Sequence, residues 1–560
     1  MSLRRTVKDF LSNSTLHGLK YIGDSNLHGM ERFVFAVSFC LAIVLSAYYI
    51  NEIYGKWKTT PVIFTIDSMA TSIRDIPFPA VTICNMNQAQ RSRVASIKGG
   101  TTDDNLLRAL CHLDSEEDSE SLFNAKKAGT WQYFRQFILN VSQPCNELLL
   151  LCRYGSITVD CHHFFSPFLT DEGLCCTFNA VHPRYMHSNY SQDDNFRRDD
   201  SQGDNAVDWN PESGYVELKA EPYFPVTGLG TGVNMGLTVV LNASLDEYFC
   251  SSTNSVGFKV LLHSPIETPK IAEYGLSIQT GMETRIVVIP IFRNSTQKVR
   301  KIGIKQRQCL FLGERDTSYF RTYTSSNCRL ECESQVMEAQ CGCVMYYMPR
   351  PSSDSVICGP KDMTCINQFV SAQDVYNESS CHECLPECVG LHYESTATSA
   401  KLHKRAKIPE FMLGGNKNAN IDYDNFAVVH FFYESNSFRG TIREEFQGFV
   451  DFIASSGGIL GLFLGFSILS GIELMYFFFI APCYGAKRPS YNKDEMQFNM
   501  QKVSSAKKNV KPIYFVDSRQ NYGPRLRIHP KMMNFSLKKV VYIESESKAH
   551  ALETQLPYCE

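Results

Sequence analysis

The chain has 560 residues, 44% of them hydrophobic and 20% charged, with a formal net charge of −3. That length supplies more than one ordinary domain and a sizeable core, and so balanced a charge excludes nucleic acid as the expected partner. The departures from an ordinary composition are local: two apolar stretches near the ends, and 21 cysteines unevenly spread.

Residues 1–32 read as a polar arm carrying His17-Gly18 and a second His-Gly pair at His28-Gly29. Phe33 to Ile50 follows as eighteen residues without a charge, and a membrane-spanning helix over 33–53 is predicted. Thirty-two largely polar residues precede it and Asn51-Glu52 follows, which fits a retained anchor rather than a cleaved signal. Residues 54–447 then form one large domain. Ile76-Pro-Phe-Pro-Ala-Val-Thr-Ile-Cys84-Asn85 couples a proline turn to a β-rich run. Residues 101–127 are acidic and read as a solvated loop; residues 190–214 are polar and read as a mobile one. Short β-branched and aromatic runs at Gly236–Leu241, Gly257–Leu262, Arg285–Phe292 and Ala427–Tyr433 read as strands. Between the last two lies a cysteine-rich segment, 309–388, helical around Ser326 to Ala339, with Cys328 and Cys332 on one helix face.

The second apolar stretch, Phe449 to Ala481, is interrupted only by Asp451 and Glu473, and a span is predicted over 448–482. As one helix it would be about 50 Å long at 1.5 Å per residue, against a hydrocarbon core of about 30 Å. It must tilt, project beyond the bilayer or break within it. The tail, 483–560, is basic in its first half and holds only incomplete matches to Pro-Pro-x-Tyr, at Pro489-Ser-Tyr491 and Pro557-Tyr558.

Arg4, Arg5, Lys8, Lys20 and Arg32 precede the first span, and Lys487, Arg488 and Lys493 follow the second. This bias predicts a multi-pass plasma-membrane protein with both termini cytoplasmic and the intervening domain extracellular. Eighteen of the 21 cysteines fall between Cys84 and Cys388, which in an oxidising compartment reads as a disulfide framework. Zinc is the competing reading, since Cys341-Gly-Cys343 and Cys381-His-Glu-Cys384 have ligand-like spacing; the extracellular setting favours disulfides, and no bound metal is expected. Sequons at Asn140, Asn189, Asn242, Asn294 and Asn377 fit glycosylation of the same domain, although Asn13 and Asn534 match in regions placed inside the cell.

Taken together, four blocks resemble the epithelial sodium channel/degenerin family, most like its insect pickpocket branch. They are Ser14-Thr-Leu-His17-Gly18-Leu-Lys-Tyr-Ile22, Phe78-Pro-Ala-Val-Thr-Ile-Cys84-Asn85, the ten cysteines from Cys309 to Cys388, and Gly457-Gly458-Ile-Leu-Gly-Leu-Phe-Leu-Gly465-Phe-Ser467-Ile-Leu-Ser-Gly-Ile-Glu473. The resemblance implies a trimeric channel whose subunits have two transmembrane helices and a disulfide-rich α+β extracellular domain, with a β-rich palm and a helical thumb. Its implied function is sodium-permeable cation conduction, gated through the extracellular domain, in a sensory or epithelial setting. It implies no cofactor beyond the permeant Na+. The implied partners are copies of the chain or related subunits in a homo- or heterotrimer, membrane lipid, and an extracellular ligand as one candidate stimulus.

The second span can be read in two ways from its residues. Gly457, Gly458, Gly461, Gly465 and Gly471, with four serines, offer small side chains for close packing against the first span. Alternatively, Gly465-Phe466-Ser467 exposes backbone carbonyls and a hydroxyl to dehydrating cations. The resemblance favours the second, because this triplet sits at the family's selectivity position. Phe466 stands where vertebrate relatives have Ala or Ser; its ring is too large to share a narrow ion path and is expected to point at a neighbouring helix. Glu473 matches the family's inner acid, and a carboxylate there costs about 2.5–3.5 kcal/mol on insertion scales, which fits a wet inner vestibule. At the outer mouth Ser455 stands where the family often has an acid, and Asp451, one turn away, is expected to supply that charge. Ala454 falls at the degenerin position, where bulky side chains hold related channels open, and His17 and Gly18 match the gating motif of the cytoplasmic arm.

The resemblance also implies a nested thumb ladder of Cys309–Cys388, Cys328–Cys384, Cys332–Cys381, Cys341–Cys365 and Cys343–Cys358, with Cys152–Cys161 and Cys84–Cys175 elsewhere. Cys111, Cys145, Cys176 and Cys250 are left unassigned. The alternatives are an ATP-gated type of two-pass channel and a two-pass ectoenzyme or scavenger receptor. The first lacks the thumb spacing, and the second has no phosphate-cradling loops with paired acids here. No constellation of Ser, His, Asp or Cys suggests catalysis, so an enzyme is not expected.

Overall fold

A computed structural model describes residues 7, 10, 11, 13–111, 131–188, 205–216, 223–352, 355–359, 362–375, 381–403 and 423–480. The expectations for the tail, for Asn189 and Asn377, and for residues 112–127 and 190–204 lie outside them. The first long helix, α1, runs Gly29–Thr59 and is long and apolar enough to cross a membrane. Its start explains the second His-Gly pair. The His28 ring accepts the Met30 N–H, and Glu31 reaches back to the His28 N–H at 3.2 Å, a reciprocal cap on two otherwise unpaired donors.

Two sheets form the body. In chain order the strands used below are β1 Val62–Ile66, β2 Ala80–Asn85, β3 Leu149–Tyr154, β4 Ile157–Val159, β5 Phe165–Thr170, β6 Gly173–Phe178, β7 Leu237–Asn242, β8 Phe258–His263, β9 Leu276–Ile278, β10 Met282–Ser295, β11 Gly390–Lys401, β12 Phe426–Tyr433 and β13 Thr441–Glu445. The larger sheet has the order β1-β13-β10-β12-β7-β3-β4, with β11 also paired to β10; the smaller runs β9-β8-β2-β6-β5. Ala427, Val429, Phe431 and Tyr433 alternate inward along β12, as the period of two requires. They meet Val81, Ile83, Phe178, Phe258 and Val260 of the smaller sheet in one core.

Strand β10 governs how this body reaches the membrane helices. It pairs antiparallel with β11 over its length, and parallel with β12 along its first half and β13 at its end. β13 in turn pairs with β1, Val62 opposite Glu445. β1 follows α1 directly, and β13 leads into helix α6, Phe449–Leu464. One two-stranded clasp therefore holds the outer ends of both apolar segments.

Two loop expectations are corrected. Thr102–Leu110 is a helix, α2, not solvated loop. Thr101 caps the Asp104 N–H, Asp103 and Asp104 sit where the N-terminal dipole favours acids, and Leu106, Leu107 and Leu110 bury one face. That face packs against Phe134, Phe137 and Ile138 of α3, Trp131–Val141. Within the predicted mobile loop, Trp209–Asn210 pairs with Gly214–Tyr215, and Trp209 is buried against Ile76, Val181, Ile266 and Leu391. The Asn210 side chain accepts from Glu212 and Ser213, closing the turn between them.

Nine disulfides tie the domain. Five are nested: Cys309–Cys388, Cys328–Cys384, Cys332–Cys381, Cys341–Cys365 and Cys343–Cys358. Cys328, Cys332 and Cys341 tie α4, Ser325–Cys341, to its return segment, which includes Cys365 of α5, Met363–Val375; Cys309–Cys388 lies outside them and Cys343–Cys358 within. Cys84–Cys175 joins directly opposed residues of β2 and β6, and Cys152–Cys161 lies beside β3. The four cysteines left unassigned by sequence form Cys111–Cys250 and Cys145–Cys176. Of the sequons described, Asn140 is exposed, while Asn242 and Asn294 are partly buried.

Candidate pore site

The second apolar segment is broken. α6 and the following helical stretch, Ile468–Ile480, are long and apolar enough to cross a membrane only when taken together, and they are bent by 71° at the residues between them. Those residues are Gly465, Phe466 and Ser467. Gly465 closes α6 in the left-handed region at φ 64°, where a Cβ would be strained. Its N–H returns to the Gly461 carbonyl at 2.9 Å, and the Phe466 N–H to Leu460 at 3.2 Å. Ser467 then caps α7, Ile468–Met475: its Oγ accepts the Ser470 N–H and its own N–H donates to Ser470 Oγ, both at 3.2 Å. Gly465 and Phe466 belong to neither helix, so their carbonyls are outside the helical ladder. Of the three sequence alternatives for this long segment, the chain takes the break.

The N-terminal arm lies against this break. The His17 N–H donates to the Leu464 carbonyl at 3.0 Å. The His17 ring fills the space a side chain at position 465 would need: a Cβ there would stand 2.7 Å from Cε1 and Nδ1. Gly18, at φ 87°, turns the arm into the short helix Leu19–Gly23. Thr15 donates twice to Glu473 Oε2, from its N–H at 3.2 Å and its hydroxyl at 3.0 Å, and the same hydroxyl lies 3.0 Å from Ser470 Oγ. Sequence reasoning assigned Thr15 no role of its own, although it stands inside the Ser14–Ile22 block, and Ser470 only that of one small residue among several in the second span. The signal available was an uncompensated acid in an apolar helix, which demands donors.

Phe466 packs against the cluster of Phe10, Leu16 and Leu19, which Phe39 and Phe477 also border. Its ring also lies 3.6 Å from where a Cβ on Gly471 would sit, ordinary contact distance, which places it against α7. Nearer the outer end, the Asp451 carboxylate accepts the Gly448 N–H at 3.0 Å and closes the first turn of α6. Asp451, Ala454 and Ser455 are exposed, and Gln447 donates to Ser455 Oγ at 3.4 Å. Contacts between α1 and α6 are aromatic: Trp57 stacks on Phe452 at 5.4 Å and Tyr49 on Phe463 at 6.0 Å. Gly457 and Gly458 face open space instead, with nothing within 4 Å of a Cβ at either. Their smallness does not serve packing against the first apolar helix of the same chain.

An apolar helix at one end, a broken one at the other and a disulfide-tied body between them fit a two-pass membrane protein, the class that holds the subunits of many channels. A family model described as the amiloride-sensitive sodium channel matches residues 10–477, and the chain belongs to that family. It is 41% identical over 497 residues to Pickpocket protein 28 of Drosophila melanogaster, covering 87% of this chain and 80% of the relative. Sodium channel protein Nach of the same organism is 24% identical over 491 residues, covering 85% of this chain and 87% of the relative. Acid-sensing ion channel 1 of Gallus gallus is 24% identical over 557 residues, covering 95% and 93% respectively. The chain is thus a cation-channel subunit with pickpocket relatives, which displaces the ATP-gated, ectoenzyme and scavenger alternatives.

Proposed function

We propose that three subunits, this chain alone or with related ones, surround a sodium-permeable pore opened through the extracellular domain, in sensory or epithelial plasma membrane. In this reading residues 1–32 and 483–560 are cytoplasmic, 33–53 and 448–482 span the bilayer, and 54–447 are extracellular. The observation that carries it is the break at Gly465–Ser467. A helix interrupted in apolar surroundings leaves backbone groups that hydrocarbon cannot satisfy, and irregular backbone at that depth is tolerated where it lines a wet cavity or is buried in protein. Carbonyls of Gly465 and Phe466 and the Ser467 hydroxyl, repeated around a three-fold axis, would replace part of the hydration shell of a passing cation. Glu473 then forms an inner carboxylate ring and Asp451 an outer one, each raising the local cation concentration. Phe466 faces the arm and α7 rather than the axis. Force reaches the pore through the clasp of β1 and β13, which is continuous with β10 and both apolar segments.

Voltage clamp of cells expressing the chain, alone and with related subunits, tests this reading under acid, osmotic and small-ligand stimuli. A bulky residue at Ala454 supplies a constitutively open reference. Sodium current through that variant at the surface is the expected result, and its absence from every combination overturns the proposal.

A further inference from the structure

One group of donors lies far from the pore. After β8 the chain turns through residues 264–268, and there Glu267, 9% exposed, faces Glu387, 8% exposed, and His392 of β11. The ligand atoms of these three side chains all lie within 4.8 Å of one another. His392 Nε2 and Glu387 Oε1 are 2.7 Å apart, while Glu387 Oε2 accepts the Ser325 N–H at 3.1 Å in the first turn of α4. The site has a cradle. Gly390 lets the Glu387 side chain fold back toward His392, for a Cβ at Gly390 would stand 2.6 Å from Glu387 Cγ and 2.8 Å from Oε1. A cleft bordered by His263, Glu267, Lys270, Ser326, Arg329 and His392 leads to it. Lys270 is committed elsewhere, to Glu333 at 2.7 Å.

We propose that Glu267, Glu387 and His392 form a divalent-metal site of the zinc type, joining the loop after β8 to the base of the thumb helix and to β11. One imidazole nitrogen and two carboxylates are a three-donor set suited to such an ion, with the cleft supplying a fourth, water position. Tetrahedral ligands about 2.1 Å from a metal are about 3.4 Å apart, so the donors need shifts of about 1 Å. The proton between His392 Nε2 and Glu387 Oε1 leaves to solvent as the metal enters. Because Glu387 adjoins Cys388, whose bridge to Cys309 closes the thumb ladder, an ion here stiffens the joint between thumb and palm.

The test uses the full-length chain purified in detergent, stripped with a chelator and titrated with ZnCl2. It reads metal binding and not current, so it stands or falls separately from the pore proposal. One ion per chain, nitrogen and oxygen ligation by X-ray absorption, and a zinc-dependent rise in Tm are expected. Glu267→Gln and His392→Ala should each weaken binding at least tenfold. Gly390→Ala, which removes no ligand, should weaken it too, while Glu394→Gln on the same strand should not. Tm without metal checks that each variant is folded, and the isosteric Glu267→Gln carries the test if His392→Ala is not. No saturable binding to the wild type, sulfur ligation, or equal affinity in Glu267→Gln overturns the proposal.

Discussion

The His17 N–H and the Leu464 carbonyl meet at 3.0 Å, so the arm supplies a donor to the last residue of α6. The end of a helix leaves carbonyls without intrahelical partners, and in apolar surroundings each must be matched from elsewhere. His17 also brings its ring over Gly465, where the chain turns through the left-handed region. The arm and the break are therefore mutually dependent: one is shaped by the missing side chain of the other.

Gly465→Ala tests that dependence. The left-handed conformation costs a non-glycine residue roughly 1–2 kcal/mol, and the new methyl would collide with the His17 ring. We expect roughly tenfold less sodium current at equal surface abundance, measured by voltage clamp beside surface biotinylation. Trimming the ring with His17→Ala in the same chain should recover part of the loss.

Asp451→Asn tests the outer charge proposed for the pore and isolates it from structure. The Asn side-chain oxygen still accepts the Gly448 N–H, so α6 starts unchanged, but the carboxylate's attraction for cations is gone. Single-channel conductance should fall at low salt and approach wild type at high salt, where screening removes the difference. Equal conductance at every salt concentration would deny Asp451 a part in permeation.

Much of this arrangement was legible because membrane helices and disulfides leave strong marks. Charge-free length marks α1, and the excess length of the second segment offered a break as one of three outcomes. Where it breaks was not legible, since Gly465 looks locally like any other glycine in that stretch; the resemblance marked Gly465-Phe466-Ser467 only as the selectivity position. α2 was hidden by its acids: Asp103 and Asp104 read as loop, although acids in a first helical turn are favourable and three leucines follow. Trp209 was hidden by its polar neighbours; one large ring can anchor a segment whose average composition looks unstructured. Cys111–Cys250 and Cys145–Cys176 join residues 139 and 31 positions apart, and spacing alone does not choose among the connectivities of four cysteines.

His263 makes the extracellular body sensitive to acid in a predictable direction. Burial lowers its pKa to about 4 from an ordinary 6.5, with Thr82 Oγ1 2.9 Å from Nε2 and the Ser264 carbonyl 3.0 Å from Nδ1. The unfolded chain takes up a proton below pH 6.5 that the folded one takes only near pH 4, so stability from this group is present above 6.5 and is lost on acidification through that window. Asp171 and Glu267, raised by burial to about 6 and about 7, act in the opposite sense, which masks the effect in the wild type. The difference in Tm between His263→Gln and wild type isolates it, and should shift in the variant's favour as pH falls from 6.5 to 4. A constant difference across that range would show that His263 does not carry the linkage.

The contact between Thr15 and Glu473 supports a sharper test, because it can be broken from either side. Thr15→Val removes the hydroxyl donor and keeps the shape; Glu473→Gln removes the charge and keeps an acceptor. A hydrogen bond to a solvent-accessible carboxylate is worth about 1 kcal/mol, roughly fivefold in the balance between docked and released arm. In a background held open by a bulky residue in place of Ala454, Thr15→Val should change the current by about that factor at matched surface level. Glu473→Gln should change it too, through the weakened bond and the lost charge. If the hydroxyl bond to the charged carboxylate couples the two residues, the double variant should fall short of the sum of the two single effects in free energy, because that bond is weakened or lost only once, while the Thr15 N–H contact persists in both. Strict additivity would mean that Thr15 and Glu473 influence conduction separately and that the 3.0 Å contact does not hold the arm in place. Thr15→Ser, which restores the hydroxyl, should return the wild-type current in that background and so separates loss of the donor from loss of the side chain's bulk.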